Sequence, residues 1–295
     1  MKTKNLWATL LITSGFAFLG TSCSSDSDST FSSTSDAALA VTVSDESQAS
    51  TVNDEIVTEA DLYLNTVANS GYQAVSSGYQ AVKAETDTVT GPTITISRPD
   101  SVTFPKTITI DFGTTGFTGK RGNILKGKII VIVSNKMWKE NSSKTITFDN
   151  FYVNDNKVVG SKTVTYKGLN TNNHPYWTVS ANDTITRTDG STVIWISERT
   201  RERVDDNGTP LNLSDDKYSI TGSSSGVNAK GVAYTQVIDE NNPLIIYNNY
   251  PHFVQGIVTI TSDKRTATLN YGDGTKDNKA TITINDVTKN VTLKN

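Results

Sequence analysis

Over residues 107–112 the sequence alternates strictly: Ile108, Ile110 and Phe112 fall on one side, Thr107, Thr109 and Asp111 on the other. A period of two is the pattern of a half-buried strand, because successive side chains of extended backbone point to opposite faces. Gly113 and Gly116 interrupt the pattern, and a more apolar strand returns over residues 128–133. A weaker copy of this hairpin lies near the C-terminus, where Ala267, Leu269 and Tyr271 alternate, Gly272-Asp273-Gly274 turns the chain and residues 280–284 return. Everything between the copies reads the same way. Strands are predicted over 93–97, 107–112, 128–133, 144–153, 157–167, 176–186, 192–200, 218–222, 231–238, 244–247, 254–261, 265–271, 280–284 and 289–293. They are rich in Val, Ile, Thr and Tyr, which suit a pleated surface. Turn chemistry separates them at Asn154-Asp155-Asn156, Asp189-Gly190, Asn207-Gly208, residues 228–231 and Asn285-Asp286. Short connections require antiparallel pairing. Residues 91–295 are therefore expected to form an all-β domain, an antiparallel meander of roughly a dozen strands that splits into a sandwich or, as second preference, curls into a strongly curved open sheet.

The N-terminus carries a different signal. Lys2 and Lys4 precede an apolar run over residues 6–19, and Ser22-Cys23 follows, the order of a secretory leader. That run is too short to span a bilayer. Cys23 is the single cysteine and sits where a lipoprotein leader places the residue to be acylated, although Leu19 precedes it by four positions instead of the usual three. The expectation is a signal peptide over 1–22 and lipid attachment at Cys23, leaving no free thiol, no disulfide and no Cys-based zinc site in the mature chain. Acyl chains then hold the body at a membrane.

Beyond Cys23 the composition shifts. Residues 24–35 are Ser, Thr and Asp around a lone Phe31, so residues 23–35 read as a disordered tether. Ser24-Ser25-Asp26-Ser27-Asp28 resembles the acidic export signals of Bacteroidota surface lipoproteins. The resemblance implies the outer face of the outer membrane, with the periplasmic face as the alternative. A helical period follows over 44–68, with Val52, Ile56, Ala60, Leu62 or Tyr63, and Val67 on one stripe and Asp54 and Glu55 early. Residues 36–90 thus read as an acidic, partly helical stalk. Gly71-Tyr72-Gln73-Ala74-Val75 recurs at Gly78-Tyr79-Gln80-Ala81-Val82; one duplicate falls short of the sustained heptads of a coiled coil and reads as a slipped repeat. Residues 24–90 carry eleven acidic side chains against Lys83 alone, whereas residues 91–295 carry 24 basic and 19 acidic ones. The acidic arm is either a solvated spacer or lies against a basic face of the domain; composition leaves both open.

Several residues invite a chemical reading. Gly222-Ser223-Ser224-Ser225-Gly226 fits Gly-x-Ser-x-Gly, but a nucleophile elbow needs a helix after it and a parallel sheet around it; Ser224 reads as a hairpin-loop hydroxyl. His174 and His252, the only histidines, each adjoin a proline and read as solvent-exposed loop residues. Asp273 and Asp277 flank a turn and are weak metal candidates, lacking the ligand spacing of a calcium loop. Arg199, Arg201 and Arg203 share one face of an extended segment, with Glu198 and Glu202 on the other. They read as a strand end whose charges discourage edge pairing or, alternatively, as a guanidinium ladder for phosphate or carboxylate groups of a glycan. Trp195 lies in an apolar run and reads as core, while Trp138, Tyr176 and Trp177 sit near loops as candidate ligand platforms. No cofactor is implied. Nucleic acid is not supported, since the domain is only mildly basic and has no recognition motif.

Residues 107–113 (Thr-Ile-Thr-Ile-Asp-Phe-Gly), 126–131, 145–154 with Lys157-Val158-Val159-Gly160, and 270–280 together resemble a recurring class of uncharacterised Bacteroidota lipoproteins. The resemblance adds a localisation and no activity. The functional expectation is a non-catalytic, lipid-anchored envelope protein, a surface binding or adhesion module for a glycan or an outer-membrane protein. The alternatives are an accessory subunit of an outer-membrane complex and a glycan hydrolase using paired carboxylates.

Overall fold

The structure, a computed structural model, describes residue 31 and residues 33–69, 80–82, 91–98, 100 and 102–294. Cys23, the leader and most of the tether lie outside the described residues, as do residues 71–79 of the duplicate.

Among the described residues one long helix, α1 (Thr34–Asn69), precedes sixteen strands: β1 (Gln80–Val82), β2 (Thr93–Ile96), β3 (Lys106–Asp111), β4 (Phe117–Thr118), β5 (Ile124–Val133), β6 (Ser143–Val153), β7 (Asn156–Leu169), β8 (Pro175–Thr186), β9 (Thr192–Asp205), β10 (Lys217–Val227), β11 (Ala233–Ile238), β12 (Leu244–Tyr247), β13 (Gln255–Ser262), β14 (Arg265–Asp273), β15 (Lys279–Ile284) and β16 (Val287–Thr292). A short 3-10 turn, Leu213–Asp215, sits between β9 and β10. All the strands belong to a single sheet, and every pairing is antiparallel. The order follows the chain except that β4 pairs only with β5, and β12 bridges β10 and β13. The fourteen predicted strands all occur. The unforeseen β1 and β4 are two or three residues long, too short to show a period.

Register is set locally. Asn154-Asp155 and Asn285-Asp286 close two-residue hairpins with both residues at positive φ (48° and 64°, 49° and 63°), the geometry that Asn and Asp tolerate and that matches strand twist. In β3 the residues Ile108 and Ile110, continued by Phe112 just beyond the strand, are buried on one face, as the alternation requires.

The sheet does not split into a sandwich. It curls around α1, which takes the place a second sheet would fill. The helix would be ~54 Å long at 1.5 Å per residue. Residues 49–60 are all buried, over three turns, so this stretch is covered on every side. Ser33 starts the helix: its Oγ accepts the Asp36 N–H at 3.0 Å, as an N-cap does. Ser33-Thr34-Ser35-Asp36 is thus the helix start and Phe31 ahead of it is buried in the core, so the disordered tether expected over 23–35 does not hold for these described residues. Residues 36–69 are likewise no stalk beside the domain but the centre of it. Curvature comes in part from irregularities such as the bulge between Lys126 and Lys128, where Gly127 has φ 76° and a Cβ would lie 1.9 Å from the Asn150 carbonyl oxygen.

Candidate ligand cleft and the charged interior

A helix with acids at positions 45, 46, 54, 55 and 59 is buried only if those charges find partners, since an isolated buried carboxylate is strongly disfavoured. The sheet supplies them. Glu46 accepts hydrogen bonds from Trp195 Nε1 and from Ser224 Oγ, both at 2.9 Å, and lies 3.5 Å from Arg199. Asp54 is held between Arg121 at 2.9 Å and Arg201. Asp45 meets Arg187 at 2.6 Å. Asn53 and Asp183 both contact Lys162, whose side chain and that of Asp183 are fully buried. Burial opposes ionisation of Asp54, yet Arg201 and Arg121 outweigh it and hold the carboxyl below its ordinary value. For Glu46 burial wins over Arg199 and pushes the carboxyl up. Glu59 is pushed up to about 8 by burial and then by Glu55 one turn away; its Oε1 accepts the Lys120 N–H at 2.5 Å.

This settles the arginine row of β9. Arg199, Arg201 and Arg203 do share one face, as the alternation implies, but that face is the interior, continuous with Val193, Trp195 and Ser197. The exposed side carries Ile194 and Ile196. The row is neither an edge device nor an external anion ladder; two of its guanidiniums are bonded to the helix. Of the two readings of the acidic arm, the packed one holds for α1.

Ser224 also moves inward. It lies within β10 and not in a loop, buried and bonded to Glu46 and to Gln236 at 2.9 Å. Gly222 has φ 114°, and a Cβ there would stand 2.3 Å from the Glu198 carbonyl oxygen. The glycines of this segment serve close strand packing, not a nucleophile elbow. His252 is buried, and burial followed by Arg121 lowers its pKa; only His174 keeps a partly exposed ring, 2.6 Å from Glu202. Asp273 accepts the Thr275 N–H at 3.1 Å and Asp277 the Lys279 N–H at 3.0 Å, which is turn chemistry. Among the described residues no three or more His, Cys, Asp or Glu side chains are grouped to hold a metal ion.

The aromatic candidates divide. Tyr176 and Trp177 are adjacent in a strand and so point to opposite faces. Trp177 pairs with Arg201 on the inner face, whereas Tyr176 pairs with Glu202 on the outer one. Trp138, from the β5–β6 loop, joins Trp177 with ring centroids 5.7 Å apart. Tyr166 lies 5.7 Å from Trp138 and 5.4 Å from Trp177, and Tyr218 lies 6.1 Å from Trp177. These four rings line a small, shallow cleft, partly open to solvent, whose lining also includes Val57 and Asp61 of α1. Trp138 is 42% exposed, and the Arg203 guanidinium stacks over it at 5.3 Å. Arg203 is tied in turn to Asp216 at 3.4 Å and accepted by the Pro210 carbonyl oxygen at 3.3 Å. Burial pushes Asp216 up to about 6 against the pull of Arg203. Lys144 contacts Asp61 in this lining; burial and then Arg201 push its pKa well below the lysine range.

Trp138 and Trp177 were legible as aromatics beside loops. Tyr166 and Tyr218 were not, because each sits within a strand whose pattern announces only an inward face. The pair Lys144–Asp61 joins residues 83 positions apart, and no local pattern marks it. No protein-family description, no curated protein and no solved structure matches the chain.

Proposed function

We propose that the chain is a non-catalytic, lipid-anchored protein of the cell envelope, and that its β-body is a binding module whose ligand enters the aromatic cleft. One observation carries this reading: Trp138 and Trp177 converge with Tyr166 and Tyr218 on a single concave site, with Trp138 partly exposed. Ligand sites are concave and largely apolar or aromatic, with a few polar groups that set orientation. The composition of the lining favours binding over hydrolysis. Glycoside hydrolysis uses two carboxyl groups across the scissile bond; among the described lining residues Asp61 is the one carboxylate, and Lys144 engages it. Anchoring rests on the leader and Cys23, and the outer membrane on the acidic run after it.

The reading is tested in two parts. Cys23→Ser should release the protein from the membrane fraction and abolish incorporation of labelled fatty acid. A thermal-shift screen of the full-length protein against glycans and solubilised outer-membrane proteins should find a stabilising ligand. One present at about a hundred times its Kd adds roughly 2.7 kcal/mol. A shift that persists unchanged in Trp138→Ala would remove the cleft from the proposal, and release of reducing ends from a glycan would replace binding by hydrolysis.

A further inference from the structure

The charges around the cleft narrow the ligand class, an argument that rests on the cleft being the binding site. Three cations lie at or behind its wall, and each faces a carboxylate: Lys144 faces Asp61, Arg201 faces Asp54, and Arg203 faces Asp216 at 3.4 Å and Asp206 at 3.7 Å. Both guanidiniums are engaged a second time on aromatic faces. Arg201 lies 3.9 Å from the Tyr218 ring centroid, and Arg203 covers one face of Trp138. A carboxylated or phosphorylated ligand would therefore have to break a buried ion pair to gain a cation, leaving a carboxylate stranded, which is costly. A cationic ligand would find the nearby carboxylates Asp61 and Asp54 already engaged by Lys144 and Arg201. What the site does offer is exposed indole surface, with the polar side chains of Asn135 and Ser143 also in the lining.

From these contacts we infer that the cleft binds a neutral pyranosyl unit, with the C–H face of the ring against Trp138 and its hydroxyl edge towards Asn135 and Ser143. A sugar ring is amphipathic in this sense. Its axial C–H bonds form an apolar face that packs on an aromatic plane, and its equatorial hydroxyls need donors and acceptors at the rim. Arg203 acts as a positioning residue: stacked on Trp138 from one side and fixed by Asp216, it orients the indole and leaves the remaining surface for ligand.

The experiment is a tryptophan-fluorescence and calorimetric titration of the full-length protein. The probes are neutral hexasaccharides of glucose, mannose and xylose on one side, and oligogalacturonate and heparin oligosaccharide on the other. Saturable binding of a neutral hexasaccharide is expected, with Kd changed less than about twofold between roughly 50 mM and 500 mM NaCl, since no charge is neutralised. Trp138→Ala should weaken it at least about tenfold while the protein stays folded, and Trp138→Phe should keep most of the affinity. Binding of the acidic glycans alone, salt-dependent and lost in Trp138→Ala, would overturn the neutral-sugar inference while leaving the cleft as the site. Sugar binding that Trp138→Ala leaves intact, or no binding of any probe, would overturn both.

Discussion

Trp195 Nε1 donates a 2.9 Å hydrogen bond to Glu46 Oε2, joining the middle of β9 to α1 across 149 residues of sequence. Both side chains are buried, and Arg199 stacks on the Trp195 ring 4.8 Å from its centroid. One contact thus fastens three things at once: an aromatic core residue, a buried acid of the helix and a cation of the sheet.

Replacing Trp195 by Phe keeps most of the apolar volume and removes the donor. A buried carboxylate oxygen is then left without that partner, and the expected loss is roughly 2–3 kcal/mol. Chemical denaturation checks it. A loss below about 0.5 kcal/mol would mean that Glu46 is neutral or otherwise satisfied in the native state.

Lys162 and Asp183 form an ion pair with no exposure of either side chain. Breaking it with Asp183→Leu should cost about 3–5 kcal/mol, because a buried ammonium loses its counter-charge. The double variant Lys162→Met/Asp183→Leu should come back to within about 2 kcal/mol of the wild type, since removing both charges avoids the stranded one. A double variant as unstable as the single one would place the loss in packing instead.

Glu59 predicts a pH dependence. Its carboxyl rises from an ordinary 4.5 to about 8 in the folded protein, driven by burial and then by Glu55, against the opposing pull of the Lys120 backbone N–H, Arg121 and Lys120. A raised acid keeps its proton in the native state while the unfolded chain loses it. Its contribution to stability is complete below pH 4.5 and falls away as pH climbs to about 8. Glu46, Glu55, Asp183 and Asp216 are raised as well and add the same sign. The informative quantity is therefore the difference from Glu59→Gln, whose stability should fall less steeply over this window, by up to ~1.4 kcal/mol per pH unit. Parallel curves for the two proteins would show that Glu59 does not titrate there.

Gly127 predicts a backbone effect. At φ 76° an L-residue is strained, and the added methyl would meet the Asn150 carbonyl oxygen of the paired strand. Gly127→Ala should cost well over about 1 kcal/mol, read as a lowered Tm. Gly190, also at positive φ but with open space around it, should tolerate alanine better. Equal losses at the two positions would rule out the close strand approach as the cause.

What the sequence by itself determined is local. Period-two alternation and Asn-Asp turns located fourteen strands and their antiparallel sense, because those features act between neighbours in the chain. The same alternation put Arg199, Arg201 and Arg203 on one face and placed Trp138 and Trp177 near loops. It could not say which face of β9 turns inward. Hydrophobicity gives a divided answer, since Val193 and Trp195 are buried on the face of the arginines while Ile194 and Ile196 are exposed on the other. The decision belongs to α1. Its acids make a cationic inner wall favourable, and the pairs involved are separated by 67 residues for Arg121–Asp54 and 147 for Arg201–Asp54. A charged helix at the centre of a curled sheet is stable only when these distant partners meet, and only the tertiary structure brings them together. The aromatic cleft follows from the same closure, with α1 as part of its lining and strands from across the sheet as its walls.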